Sequence, residues 1–139
     1  MHEILILLRA MGLFAHDAHH HVAHVPFFAD HEFFGDTYTE LITDYDDIAE
    51  RAIGLMGDEA VNLQLILPGV MQILQGAPGV KISQNSAFFN FQLKLELELC
   101  AKLDHFIKSG QLTSGTEQLL GEICNKSESR QYKIKQRIK

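Results

Sequence analysis

The chain has no tryptophan, three prolines and two cysteines, and each scarcity narrows what it is. Two cysteines, Cys100 and Cys124, do not make the disulfide framework that staples small secreted domains. They read as buried free thiols in a reducing compartment, at matching heights either side of the Gly110–Ser114 turn. No apolar run reaches the ~18 residues that would suggest a membrane span. No internal repeat and no low-complexity tract is present. The start, MHEILILLRAMGLFA, has no basic segment ahead of its apolar residues and carries Glu3 and Arg9 among them, so it reads as helix and not as a signal peptide. With 46 % apolar and 22 % charged residues, the balance is globular and not disordered. At 139 residues, the expectation is one cytoplasmic domain spanning 1–139.

Positive charge is also short, and unevenly placed. The formal net charge of −6 argues against a general nucleic-acid coat or a membrane-surface protein. From Lys126 to Lys139, however, six Lys/Arg stand against one Glu, leaving a balance of −11 for residues 1–125. That basic end reads as the exposed face of a last helix. A DNA contact there is the minority reading, because an acidic body repels the nucleic-acid backbone.

Apolar residues at helical spacing predict four long helices. The first runs from about Glu3 to His24 and is ended by Pro26, which pushes its predecessor out of the α region. The second has Asp30 as N-cap, repeats apolar residues from Phe34 to Leu55, and stops at Gly57. Residues 58–84, interrupted by Pro68, Gly69, Gly76, Pro78 and Gly79, read as a long crossover with a short helix near Gly69–Gln75. The third helix runs from about Ser86 to Lys108. Its FNFQLKLELELC stretch alternates like a strand, and its length and its Leu, Glu, Lys and Ala content decide for helix. The fourth starts at Ser114, where S-G-T-E reads as a capping box. The expected fold is all-α: a four-helix bundle with a long crossover between helices 2 and 3.

What the chain has in excess is histidine, eight in all, six of them between His16 and His31. Imidazole nitrogens together with carboxylates suit borderline metals such as iron or zinc. On the first helix His16 and His20 are one turn apart, with His19 three residues from His16. The short Val25–Ala29 turn returns His19 or His20 to the side of His31. Asp46 and Glu50 project one turn apart from one face of the second helix. His31 and Asp46, however, lie about 22 Å apart at 1.5 Å per residue, while metal–ligand bonds are about 2 Å long. One chain cannot close both halves on one ion. Two copies packed antiparallel about a two-fold axis can, giving two shared sites per dimer.

The same stretch resembles the Dps-type mini-ferritins of the ferritin-like superfamily. The elements are Ala18-His19, His31-Glu32 twelve positions on, and Asp46-Asp47-Ile48-Ala49-Glu50-Arg51, with Phe27-Phe28 and Tyr38 also in keeping. The motif covers about 34 residues, and the helix plan extends the likeness more loosely along the chain. The resemblance implies a ferritin-like bundle and an iron-storing ferroxidase that oxidises Fe²⁺ with peroxide or dioxygen. It implies His19 and His31 as catalytic iron ligands from one subunit and Asp46 and Glu50 from its two-fold partner. It also implies a hollow homo-dodecamer that stores ferric mineral. Two positions depart from the pattern. An acidic ligand is usual one turn after the second histidine, where this chain has Gly35 with Asp36 beside it; the usual tryptophan after the first histidine is His20. Asp36, His20 and His16 stand near as substitute ligands, and zinc as a competitor for iron.

The blander expectations are explicit. Taken alone, Asp46 and Glu50 are a solvated helix face, and His16, His20, His21 and His24 are surface or supporting residues. Arg51 is expected to pair with a carboxylate on a neighbouring helix or subunit. A metal site inside the bundle needs Glu-x-x-His pairs. None occurs, and Glu96 has Ser127 and Arg130 as its counterparts on the fourth helix. The rival functions are a DNA-binding protective protein with a secondary metal site, and a structural helical bundle that binds zinc or nothing.

Overall fold

A computed structural model describes residues 1–80 and 84–139. The chain is all-helical over these residues: α1 (His2–His21), α2 (Phe27–Met56), α3 (Leu63–Leu74), α4 (Asn85–Lys108) and α5 (Ser114–Arg137), with a 3₁₀ turn at Asp58–Ala60. None of these helices is long and apolar enough to cross a membrane. Residues 81–83, part of the expected crossover, lie outside the described residues.

Cross-helix contacts fix the directions. His19 meets His31, and the Gly12 backbone approaches Leu41 and Ile42, so α1 and α2 run antiparallel. Cys100 meets Cys124 and Glu96 meets Ser127, so α4 and α5 do too. Asp30–Arg137 and Asp44–Lys126 pair α2 with α5, and Phe14 against Phe88 and Phe91 pairs α1 with α4. Thus α1 and α5 run one way, α2 and α4 the other. The core between them holds Leu7, Leu8, Met11, Phe34, Leu41, Ile48, Phe88, Leu95, Leu99 and Ile123, all essentially inaccessible. Each such side chain contributes roughly 1.5–3 kcal/mol by leaving water.

Several boundaries differ from the sequence expectation. Helix α2 begins at Phe27, directly after Pro26, and Asp30 is no cap. Its carboxylate is buried and accepts from Nε and Nη2 of Arg137 (2.8 Å each) and from the Asn85 amide (2.8 Å), so a charged partner outcompetes backbone N–H groups. Helix α1 stops at His21, short of His24. The N-cap of α5 is Thr113 and not Ser114: the Thr113 hydroxyl accepts the Thr116 N–H (3.2 Å) and donates to the Thr116 Oγ1 (2.8 Å). Helix α3 is longer than expected, starting at Leu63 with the Asn62 side chain capping the Gln64 N–H, and it carries Pro68 in its interior. Gly69 explains how it docks. A Cβ there would stand 2.8 Å from the Ile6 side chain, so only glycine lets α3 lie this close to α1.

The strand-like stretch of α4 is helix because two of its polar residues point inward. Gln92 and Glu96 are buried with Phe88, Leu95 and Leu99, whereas Leu97 is exposed. Glu96 receives Arg130 Nε (2.7 Å) and Nη2 (3.0 Å), the Ser127 hydroxyl (2.6 Å) and the Gln92 amide (2.7 Å). Ser127 and Arg130 are the counterparts read from the sequence; Gln92 is not among them. Burial pushes the Arg130 pKa down, but Glu96 and Glu40 outweigh it and the net shift is upward. A buried carboxylate saturated by a guanidinium and neutral donors leaves no lone pairs for a cation.

Candidate metal centre

The histidine-rich end is built by the α1–α2 turn. Asn85, at the start of α4, clamps that turn: its Oδ1 accepts the Ala23 N–H (3.0 Å), and its Nδ2 donates to the Ala23 carbonyl and to Asp30 (2.8 Å each). With the turn fixed, His19 and His31 face one another. The His19 Nδ1–H donates to the His31 carbonyl (2.7 Å) and the His31 Nδ1–H to the His19 carbonyl (2.8 Å). The rings stack with centroids 3.7 Å apart and planes 21° from parallel, and Phe27 stacks on the far side of His31 at 5.0 Å.

This lock has a chemical consequence. A carbonyl only accepts, so each Nδ1 carries a proton, and in the neutral ring Nε2 then keeps its lone pair. Orienting one ring nitrogen by a backbone carbonyl while freeing the other is how metal-ligating imidazoles are held. The sequence left His19 and His20 open on geometry, and His19 is the one beside His31. His16 and His20 are exposed; His16 packs on Tyr38 (4.3 Å between centroids) and on His20 (4.7 Å).

Gly35 belongs to the same construction. A Cβ at Gly35 would come within 3.0 Å of His19 Cε1 and 3.1 Å of its Nδ1. The space where an acidic side chain would start is filled by the His19 ring. Asp36, the neighbouring acid, is exposed.

No protein-family model and no curated protein matches the chain.

Asp46 and Glu50 lie on the same unbroken α2 as His31, exposed to solvent. Neither makes a hydrogen bond or an ion pair among the described residues. The reach computed from the sequence therefore stands, because α2 has no break between His31 and the two acids. Among the described residues, the one place where three candidate ligand atoms of a single chain cluster is Cys100, Cys124 and Glu128, not the histidine end.

Other charged groups have structural partners. Arg51 donates to the Thr116 hydroxyl (3.1 Å) rather than to a carboxylate of the same chain. Asp44 is buried, its Oδ1 bound to Lys126 (2.7 Å) and its Oδ2 without a partner among the described residues. Burial pushes the Asp44 pKa up, and Lys126 only partly offsets this. Half of the basic C-terminal residues are thus engaged by the body: Lys126 by Asp44, Arg130 by Glu96 and Glu40, Arg137 by Asp30.

The sequence missed two residues that build the site. Asn85 fell just outside the expected third helix, and nothing in its spacing marks a clamp. Gly35 looked like a lost ligand; its signal was its place four residues after His31, where the His19 ring passes.

Proposed function

We propose that the chain is a subunit of an iron-oxidising, iron-storing oligomer of the Dps type, with a ferritin-like bundle and its ferroxidase centre shared between two copies. The observation that carries this reading is the mutual lock of His19 and His31. It holds two imidazoles with free Nε2 atoms at one end of a continuous helix that presents two unpartnered acids, Asp46 and Glu50, fifteen and nineteen residues after His31. The helix directions and the crossover between α2 and α4 are those a ferritin-like bundle requires.

A second copy completes the site. At about 100° per residue, His31, Ile42, Asp46 and Ile53 lie within about 60° of one another on the outer side of α2. An antiparallel twin that brings His31 to Asp46 and Glu50 places the two-fold axis near residues 39–40 of α2, between the two halves. Exposed apolar residues lie along that line: Ile42 and Ile53 on α2, with Leu13 of α1 across the groove from Ile42. Self-association would bury them while closing the centre.

Iron is the substrate. The imidazoles hold Fe²⁺ and the carboxylates favour the higher charge of Fe³⁺. Two Fe²⁺ each lose one electron, the O–O bond of a peroxide breaks, and two protons complete two waters. Fe³⁺ then passes into an acidic shell interior as mineral. Zinc would occupy the same ligands without turning over.

The test is Fe²⁺ oxidation by peroxide in His31→Asn and Asp46→Asn proteins. Asparagine at 31 keeps a donor near the Nδ1 position and removes Nε2. Both rates fall to background if the centre is correctly assigned; wild-type rates in both remove it.

A further inference from the structure

Midway along the α4–α5 pair, far in sequence from the histidines, two half-buried thiols meet. Cys124 Sγ lies 3.3 Å from Cys100 Sγ, and one ligand atom each from Cys100, Cys124 and Glu128 falls within 4.8 Å of the others. We propose that Cys100, Cys124 and Glu128 form a second metal site, for a divalent cation of zinc's class, independent of the iron centre.

The distances favour chelation over a disulfide. Tetrahedral zinc with Zn–S bonds of about 2.3 Å holds its two sulfurs about 3.8 Å apart, whereas a disulfide needs about 2.05 Å. The observed 3.3 Å lies about 0.5 Å from the first and more than twice that from the second. Glu128, one turn after Cys124, supplies the oxygen that a borderline cation accepts beside thiolates.

The surroundings fit a cation. The Gln131 amide, itself buried, donates to Cys100 Sγ (3.3 Å), the kind of outer hydrogen bond that steadies a ligating thiolate. Binding forms two metal–sulfur bonds and breaks two S–H bonds, releasing two protons to solvent; Glu128 joins as a carboxylate. Glu128 is exposed, giving the ion an entry path and leaving the fourth position for water.

The experiment is an anaerobic titration of the full chain, both thiols reduced, with Co²⁺ alone. The expected result is a thiolate-to-cobalt charge-transfer absorption that saturates at one cobalt per chain and is lost on adding zinc. Cobalt held by imidazoles and carboxylates gives no such absorption. Cys100→Ser and Cys124→Ser each abolish it, Glu128→Gln shifts saturation to higher cobalt, and His31→Asn leaves it intact. The proposal is overturned by absence of the absorption in fully reduced protein, by its survival in the double serine variant, or by an unshifted Glu128→Gln titration. Should a serine variant fail to fold, alkylation of the folded wild-type thiols replaces it, and absorption that persists afterwards overturns the site.

Discussion

A shared centre makes a quantitative demand on mixed oligomers. Let one subunit carry His31→Asn and the other Asp46→Asn, each inactive alone. In a mixed dimer one site combines both lesions, and the other combines the intact His31 of one chain with the intact Asp46 of the other. Random pairing makes half of the dimers mixed, each with one good site of two, so the preparation recovers about a quarter of the wild-type rate. No rescue arises within a chain, because the two residues stand about 22 Å apart on one continuous helix. Co-expression with two affinity tags, purification through both, and stopped-flow measurement of Fe²⁺ oxidation give the number. Selection through both tags enriches mixed assemblies, so a quarter is the lower expectation. Asp46 is exposed and unpartnered, so its substitution changes stability by less than about 0.5 kcal/mol, and loss of rate reports chemistry. Mixed oligomers as inactive as the parents, with both subunits folded, would refute the shared centre.

Three further outcomes follow from the geometry. Gly35→Ala gains about 1 kcal/mol of helix propensity, but its Cβ presses on a His19 ring that stacking and a hydrogen bond hold in place. Overpacking costs about 1–3 kcal/mol, so urea unfolding should show no net gain, and Fe²⁺ binding should weaken; a stabilised variant with unchanged iron binding contradicts the role given to Gly35. Asp44 has its folded pKa raised above the ordinary 3.8, so its favourable contribution is complete below that value and is lost as pH rises through the raised one. The stability of Asp44→Asn relative to wild type should therefore increase from acidic to neutral pH in urea titrations, and a difference that falls over that range counts against the assignment. Thr39→Cys, in a background with Cys100 and Cys124 replaced by serine, should cross-link into a dimer on oxidation because the proposed axis passes beside it, and a monomeric band on a non-reducing gel would move the axis.

The sequence carried the helices and the first half of the site for physical reasons that can be named. Helical spacing of buried side chains located α1, α2, α4 and α5 to within a few residues, since burial of a stripe is what stabilises them. It mislaid α3 because Pro68 and Gly69 were read as breakers, whereas in the fold Gly69 is the close-approach point against Ile6. It misjudged Asp30 because capping is a local rule and the partner that claims this carboxylate, Arg137, is 107 residues away. That His19 or His20 returns beside His31 was legible because the connecting turn is short; the choice of His19 came only from the resemblance. The reciprocal carbonyl bonds that set both tautomers were not legible, since they depend on backbone placement in the turn that Asn85 secures.

One helix serves two purposes here, and its two faces separate them. On the inner side of α2, Asp30 and Asp44 pair with Arg137 and Lys126 of α5, and Arg51 donates to the Thr116 hydroxyl. On the outer side the His31 Nε2 and the Asp46 and Glu50 carboxylates have no such partners among the described residues. In the interior, Glu96, the one fully buried glutamate among the described residues, is saturated by Arg130, Ser127 and Gln92. Metal chemistry displaced from the core to an exposed helix face gains a dry, multi-ligand environment only when another surface covers it. The exposed Leu13, Ile42 and Ile53 beside those residues would give a second copy the reason to do so. On the proposed reading, association and catalysis are the same event: the burial that joins two chains would assemble the centre, and an isolated subunit would hold only half of it.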